Sequence, residues 1–278
     1  MKRFWTLIIT VIIMSFNSCA VKEQLVFNED GSGTFLVTYD MSQIMSQMGD
    51  AFQDIGPEDD KEDDEDSTEI KEKKPNTVID SIIYFKDIFE QYKDSIAQMT
   101  DRERYEMETL KDMYMTMKMN EELKMFNYGI GLEFKKVEDL KDIQERVEKA
   151  KSFNEQGEQL DMMKEGSPMG KYMGDGDQKV DYYFTETSFS RVTTMPEKAV
   201  DDTLDLNDNP EEGDDSFSEE LEGSFYSVEI TFPKRIKSTS VKDALISEDG
   251  KTVSYKVNWA DYLKDPKLLD ISVEFENE

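Results

Sequence analysis

Met113-Tyr114-Met115-Thr116-Met117-Lys118-Met119, followed after a short break by Phe126-Asn127-Tyr128-Gly129-Ile130-Gly131-Leu132-Glu133-Phe134, decides the fold class. Wound as a helix, these methionines scatter around the cylinder. Extended, all four fall on one face, with Tyr114, Thr116 and Lys118 on the other, because successive strand side chains point to opposite faces. Period two wins, and a four-residue turn at Asn120 to Leu123 predicts a β-hairpin pairing Met117 with Phe126, Met115 with Tyr128 and Met113 with Ile130. Leu132 and Phe134 continue the apolar row. Met113, Met115, Met117, Phe126, Tyr128 and Ile130 are therefore the candidate ligand-binding residues, since polarizable thioethers facing aromatic rings make an adaptable core or an apolar cavity wall. Alternating thioethers also suit Cu(I), but such a site needs an open approach of the right shape, so no metal is assigned.

Further hairpins lie on either side. Leu25 to Val37 reads strand, Gly-rich turn, strand, with Phe27 able to face Phe35 and Leu25 to face Val37. The Asp30 to Gly33 loop leads into a strand and lacks the Lys-Ser/Thr of a phosphate cradle, so it is a turn. Asp249-Gly250 favours a tight turn that pairs Ile246 with Val253 and Ala244 with Tyr255. Strands are expected again over Val180 to Thr193, Ser224 to Phe232 and Leu269 to Phe275. In the last, Leu269, Ile271, Val273 and Phe275 alternate with polar residues, which implies one buried and one wet face.

Helical spacing appears in three places. Val78, Ile79, Ile82, Ile83, Phe85, Ile88, Phe89, Tyr92 and Ile96 predict an amphipathic helix over Asn76 to Gln98. Thr100-x-x-Glu103 is a capping-box start for a second, through Lys111. Val137, Leu140, Ile143 or Gln144, and Val147 mark a third. The fold class expected is α+β: a mostly antiparallel sheet built from hairpins, with two to three amphipathic helices packed on one face.

Acidic residues dominate the composition, Asp+Glu 63 against Lys+Arg 33, for a net charge of −30. Such a surface repels nucleic acid and anionic headgroups. There are no histidines, which removes Ser-His-Asp and Cys-His nucleophilic sites, His-based zinc sites and the usual pH switch near neutrality. The acid clusters at 54–75 and 197–223 have too little apolar surface to offset their ordering entropy, and are expected to be disordered inserts within one domain. That domain comprises 19–53 (tether and first hairpin), 76–196 (helices, Met-rich hairpin, helix and strand) and 224–278 (C-terminal strands). The run Asp205-Leu206-Asn207-Asp208-Asn209-Pro210 suggests a calcium loop, but Pro210 stands where an EF-hand needs Gly and Ser216 where it needs Glu. Asp175-Gly176-Asp177 carries no more weight.

The N-terminus gives the address. Met1-Lys2-Arg3 precedes an apolar run from Phe4 to Phe16, then Asn17-Ser18-Cys19-Ala20 with the chain's one cysteine. A basic segment, a short apolar segment and small residues at the cleavage point make a secretory signal over residues 1–18. The run is too short to span a bilayer comfortably, since about 20 residues are needed. Ser18-Cys19 fits the lipobox of bacterial lipoproteins, in which the cysteine carries a diacylglycerol, and Phe16 in place of the commoner Leu resembles envelope lipoproteins of Bacteroidetes-type bacteria. Cys19 is thus the expected lipidation site, with palmitate-type chains as the membrane anchor. Ala20-Val21 lacks an inner-membrane-retaining Asp, which points to the outer membrane. Lipidation also leaves the mature domain without thiols or disulfides, so its core alone must stabilise it.

Val228-Glu229-Ile230-Thr231-Phe232-Pro233-Lys234-Arg235-Ile236-Lys237, with Ser247 to Val253 and the terminal alternating strand, resembles the end of the LppM-type lipoprotein domain. Phe27-Asn28-Glu29-Asp30-Gly31-Ser32-Gly33 looks like its start. The resemblance covers both ends of the chain and not its middle. It implies a membrane-tethered domain able to hold an apolar or lipidic ligand. The functional expectation is a non-enzymatic binding domain, held at the envelope by its lipid and needing no cofactor. The alternative is a structural or assembly lipoprotein whose acidic surface engages a basic protein. An enzyme with two carboxylates is a third class, but among 63 acidic residues any pair can be nominated, so nomination carries no information. A cavity would favour ligand binding, and a filled core with an exposed apolar patch would favour assembly.

Overall fold

The computed structural model describes residues 19–42, 78–152, 178–195 and 223–277. The signal segment, the two acidic inserts apart from Gly223, and the Asp205 and Asp175 stretches lie outside these residues. In chain order the elements are β1 (Cys19–Phe27), β2 (Gly33–Asp40), β3 (Val78–Tyr84), α1 (Phe85–Gln91), α2 (Lys93–Ile96), α3 (Asp101–Glu108), β4 (Met113–Asn120) and β5 (Met125–Phe134). A 3-10 turn (Val137–Leu140), α4 (Ile143–Ser152), β6 (Lys179–Phe184), β7 (Ser188–Thr194), β8 (Phe225–Thr231), β9 (Ile236–Thr239) and β10 (Leu245–Ile246) follow. The chain closes with β11 (Thr252–Asn258), α5 (Trp259–Lys264), a second 3-10 turn (Pro266–Leu269) and β12 (Ile271–Phe275).

The class is mixed α and β, with strands dominant and two sheets in place of the one expected. The larger runs β10-β11-β8-β1-β2-β5-β4-β3 and the smaller β6-β7-β12-β9. Every pairing is antiparallel except β1 with β8. That parallel pair places the first strand beside one more than two hundred positions later, so the two ends of the chain share a core. Along β1, Val21, Leu25 and Phe27 point inward. Phe27 stacks on Phe184 at 4.3 Å and lies edge-on to Phe189 at 5.6 Å, so rings from the smaller sheet fill the space beneath the larger one. Offset and edge-on ring pairs of this kind add to plain area burial. Helices cover only the rest of that face: α1 packs against β4, and α4 against β5.

The helix expected over Asn76 to Gln98 is corrected. Among its described residues, Val78–Tyr84 is strand, and helix begins only at Phe85. Val and Ile are β-branched and stiff at χ1, and pairing with β4 satisfies a row of backbone groups that a lone helix would not. The capping box at Thr100 is formed: the Glu103 N–H donates to Thr100 Oγ1 at 3.3 Å, and the Thr100 N–H donates to Glu103 Oε2 at 2.7 Å. That helix ends at Glu108 rather than Lys111. The stretch from Val180 to Thr193 is two strands joined at Thr185 to Thr187, not one.

Both early hairpins keep their faces and shift their partners by two residues. Leu25 lies opposite Phe35 and Phe27 opposite Gly33. Met113 faces Leu132, Met115 faces Ile130, Met117 faces Tyr128 and Met119 faces Phe126. Asn120 ends β4 as a paired residue, and its side-chain carbonyl accepts the Leu123 N–H at 3.0 Å, which moves the turn to Glu121 to Lys124. A two-residue shift preserves the side-chain parity that a one-residue shift would invert. On the outer face the Tyr114 ring lies against Gly131, where a Cβ would come within 2.3 Å of it. Near the C-terminus Ile246 pairs with Val253 as expected, and β10 extends only over Leu245 and Ile246.

Candidate functional site

Cys19 is the first residue of β1 and pairs with Phe225 of β8. Val21, two residues on, is already core. The tether expected before the first hairpin is therefore absent from 19–27: the strand starts at Cys19 itself.

The six candidate ligand-binding residues lie together on the inner face of β4 and β5. Met113, Met115, Tyr128 and Ile130 are buried in the common core, and Met117 and Phe126 are half-buried toward the hairpin tip. The Tyr128 hydroxyl donates to Met115 Sδ at 3.2 Å, and burial pushes this phenol well above its ordinary range. Lys151 closes the same region, with its ammonium 4.4 Å from the centre of the Tyr39 ring and 2.5 Å from Glu148 Oε1. Burial alone would lower the pKa of Lys151; Tyr39 and Glu148 outweigh it and hold the amine above its usual value. The face is thus packed side chain against side chain.

Two surface clefts stand out, and neither includes a residue of that face. One of about 680 Å³ lies between Tyr84, Lys111, Glu133 and Arg146. Its arginine is already committed, donating to the carbonyls of Thr109 at 2.9 Å and Asp139 at 3.1 Å and pairing with Asp112. The other, of about 330 Å³, is bounded by Val137, Lys141 and the outer edge of β6. Among the described residues no group of three acidic or cysteine side chains is arranged to hold a metal ion. No helix among them is long and apolar enough to cross a membrane.

A buried polar cluster escaped the sequence reading. Glu23 sits between inward-facing Val21 and Leu25, with its carboxylate accepting from Arg191 Nε at 3.1 Å and Nη2 at 3.2 Å. The hydroxyls of Tyr182 and Tyr226 donate to the same carboxylate at 2.9 and 3.2 Å. Four donors saturate a carboxylate. Arg191 Nη1 reaches Thr193 Oγ1 at 3.1 Å, and Asp270 lies 3.5 Å from it. Burial raises both tyrosines well above the ordinary phenol range, and the Glu23 charge adds to it. Parity was the available signal, since a charged residue at an inward position of Val21-Lys22-Glu23-Gln24-Leu25 demands an inward partner. The partner itself, far away in sequence, left no local trace.

No protein-family model matches this chain, and no curated protein does. Among solved structures, the folded domain of the Mycobacterium tuberculosis LppM protein is similar over 94% of this chain and 92% of its own, at 8% identity and a TM-score of 0.34. A score of that size lies below the level at which two chains share one fold, and it assigns neither ligand nor activity. It also comes from a mycobacterium, so it adds nothing to the Bacteroidetes-type resemblance of the signal segment.

Proposed function

We propose that this chain is a lipoprotein of the bacterial cell envelope, anchored through a diacylglycerol on Cys19, that acts without catalysis as an assembly or binding module for a protein partner. The observation that carries this reading is the contrast between a filled interior and an exposed apolar edge. Met113, Met115, Tyr128 and Ile130 spend their apolar surface on the core. Strand β3, at the margin of the larger sheet among the described residues, exposes Val78, Ile82 and Ile83 instead. Edge strands are usually blunted by charge, proline or shortness, whereas the seven residues of β3 carry a single charge, Asp80. An extended partner segment can add to such an edge through main-chain hydrogen bonds, and the acidity of the chain favours a basic one. The absence of an inner-membrane-retaining Asp after Cys19 favours the outer membrane.

Native mass spectrometry of the protein purified from its own envelope tests this reading. A protein partner that is lost in Ile82→Lys supports it. A retained lipid that is lost in Met115→Asp, with no protein partner, would replace it with the lipid-holding alternative.

A further inference from the structure

Strand parity divides β3 into two rows. Val78, Asp80, Ile82 and Tyr84 lie opposite Asn120, Lys118, Thr116 and Tyr114 on the outer face of the larger sheet, and Ile79, Ser81 and Ile83 lie opposite Met119, Met117 and Met115 on the core face. The outer row is open: Val78 is 67% exposed, Ile82 58% and the Asp80 side chain 68%. Among the described residues, no strand pairs with the other side of β3. Alternate residues there point their N–H and C=O groups away from β4, in a row whose spacing matches another extended chain.

Charge decides what such a chain must carry. Asp80 is the one charge in β3 and stands between Val78 and Ile82 in the outer row. Its contact with Lys118 is 3.6 Å long, and both side chains are more than half exposed. Ion pairs of this kind contribute little, so the carboxylate still favours a cation on its free side. At the end of the row the Lys86 ammonium already lies 4.6 Å from the centre of the Tyr84 ring, which disfavours a second cation there. A second copy of this chain does not fit. Its β3 has no Lys or Arg to set against Asp80, and two chains of net charge −30 repel each other.

We propose that Asp80 selects the partner of β3: an extended segment that places Lys or Arg opposite Asp80 and, two positions to either side, apolar residues over Val78 and Ile82. This deepens the function proposed above and rests on that reading. The required pattern is symmetric about Asp80, so it holds for either chain direction. Unlike charges on facing strand positions stabilise the pairing and like charges oppose it. Val78 and Ile82 thus supply apolar contact, while Asp80 discriminates between segments.

The experiment pans the full-length protein in detergent against a phage library of random twelve-residue segments, and subtracts those that also bind Ile82→Lys protein. Recovered segments are expected to carry Lys or Arg with an apolar residue two positions away on each side. One such segment, synthesised, should bind Asp80→Lys protein about tenfold more weakly, and a version with Glu in place of its basic residue should prefer Asp80→Lys to the native protein. Asp80→Asn removes the attraction without adding a repulsion, and should weaken the original segment by a smaller factor at an unchanged denaturation midpoint. Moving the basic residue by one position keeps the net charge of the segment but turns the cation to the other face, and should abolish binding. Segments that are lost in Ile82→Lys yet keep their affinity in both Asp80 variants, or tolerate the one-position move, overturn the role of Asp80 and leave docking at the edge standing. If no recovered segment distinguishes native from Ile82→Lys protein, docking at the edge fails and the role of Asp80 with it.

Discussion

Glu23 and Arg191, at 1% and 2% exposure, form a two-pronged ion pair that fastens the larger sheet to the smaller. The partners come from β1 and β7, 168 positions apart. Desolvating two charges opposes folding, and the geometry offsets this only because every lone pair of the carboxylate finds a donor.

Removing one partner should therefore cost more than the pair contributes. Arg191→Met is expected to destabilise the domain by about 3–5 kcal/mol, because Glu23 is left charged and dry. Combining it with Glu23→Leu should recover a substantial part, though not all, since the Tyr182 and Tyr226 hydroxyls then lose their acceptor. Chemical denaturation of the two single variants and the double variant measures this. Additive losses would show that the two side chains are not coupled.

The methionine face offers a comparison between neighbours. Met115 is buried and Thr116 is on the outer face of the same strand. Met115→Asp should destabilise by several kcal/mol through an unpaired buried charge, about 3 or more, while Thr116→Asp should have a much smaller effect. Equal denaturation midpoints for the two would contradict the packed inner face.

Acid should loosen the caps and turns before the core. Thr100 holds the Glu103 carboxyl below its ordinary 4.5, and Ser32 and Ser247 do the same for Asp30 and Asp249 against 3.8. Lys237 depresses Glu274. Each pKa is lower folded than unfolded, so each contribution is present above the unfolded value and is lost as pH falls through the folded one, in a window below about pH 4.5. Thr100→Ala should return the Glu103 carboxyl toward 4.5 in a carbon-detected NMR titration and fray the start of α3. An unchanged Glu103 titration would mean that the capping box does not persist in solution.

Cys19→Ser should abolish incorporation of labelled fatty acid and move the protein to the soluble fraction. The strand itself should survive, since its pairing with Phe225 uses backbone groups alone. Labelled, membrane-bound Cys19→Ser protein would refute the anchor.

Period two in Met113 to Phe134, the Gly-rich and Asp-Gly turns, the capping box at Thr100 and the alternation at the C-terminus were all legible without coordinates, because each depends on residues within about a dozen positions of one another. Face parity survived even where register did not, since a shift of two leaves each side chain on its side of the sheet. Tertiary structure alone decided that Val78 to Tyr84 is strand, because the helix-like spacing of Ile79, Ile82 and Ile83 was overruled by a row of backbone partners on β4. It alone joined Glu23 to Arg191 and β1 to β8, contacts across more than a hundred and sixty positions that no local pattern encodes. It alone turned the Met/aromatic face from a candidate cavity wall into packed core, because whether an apolar strand face meets solvent, ligand or protein depends on what the rest of the chain lays over it. Here α1, α4 and the smaller sheet supplied the cover.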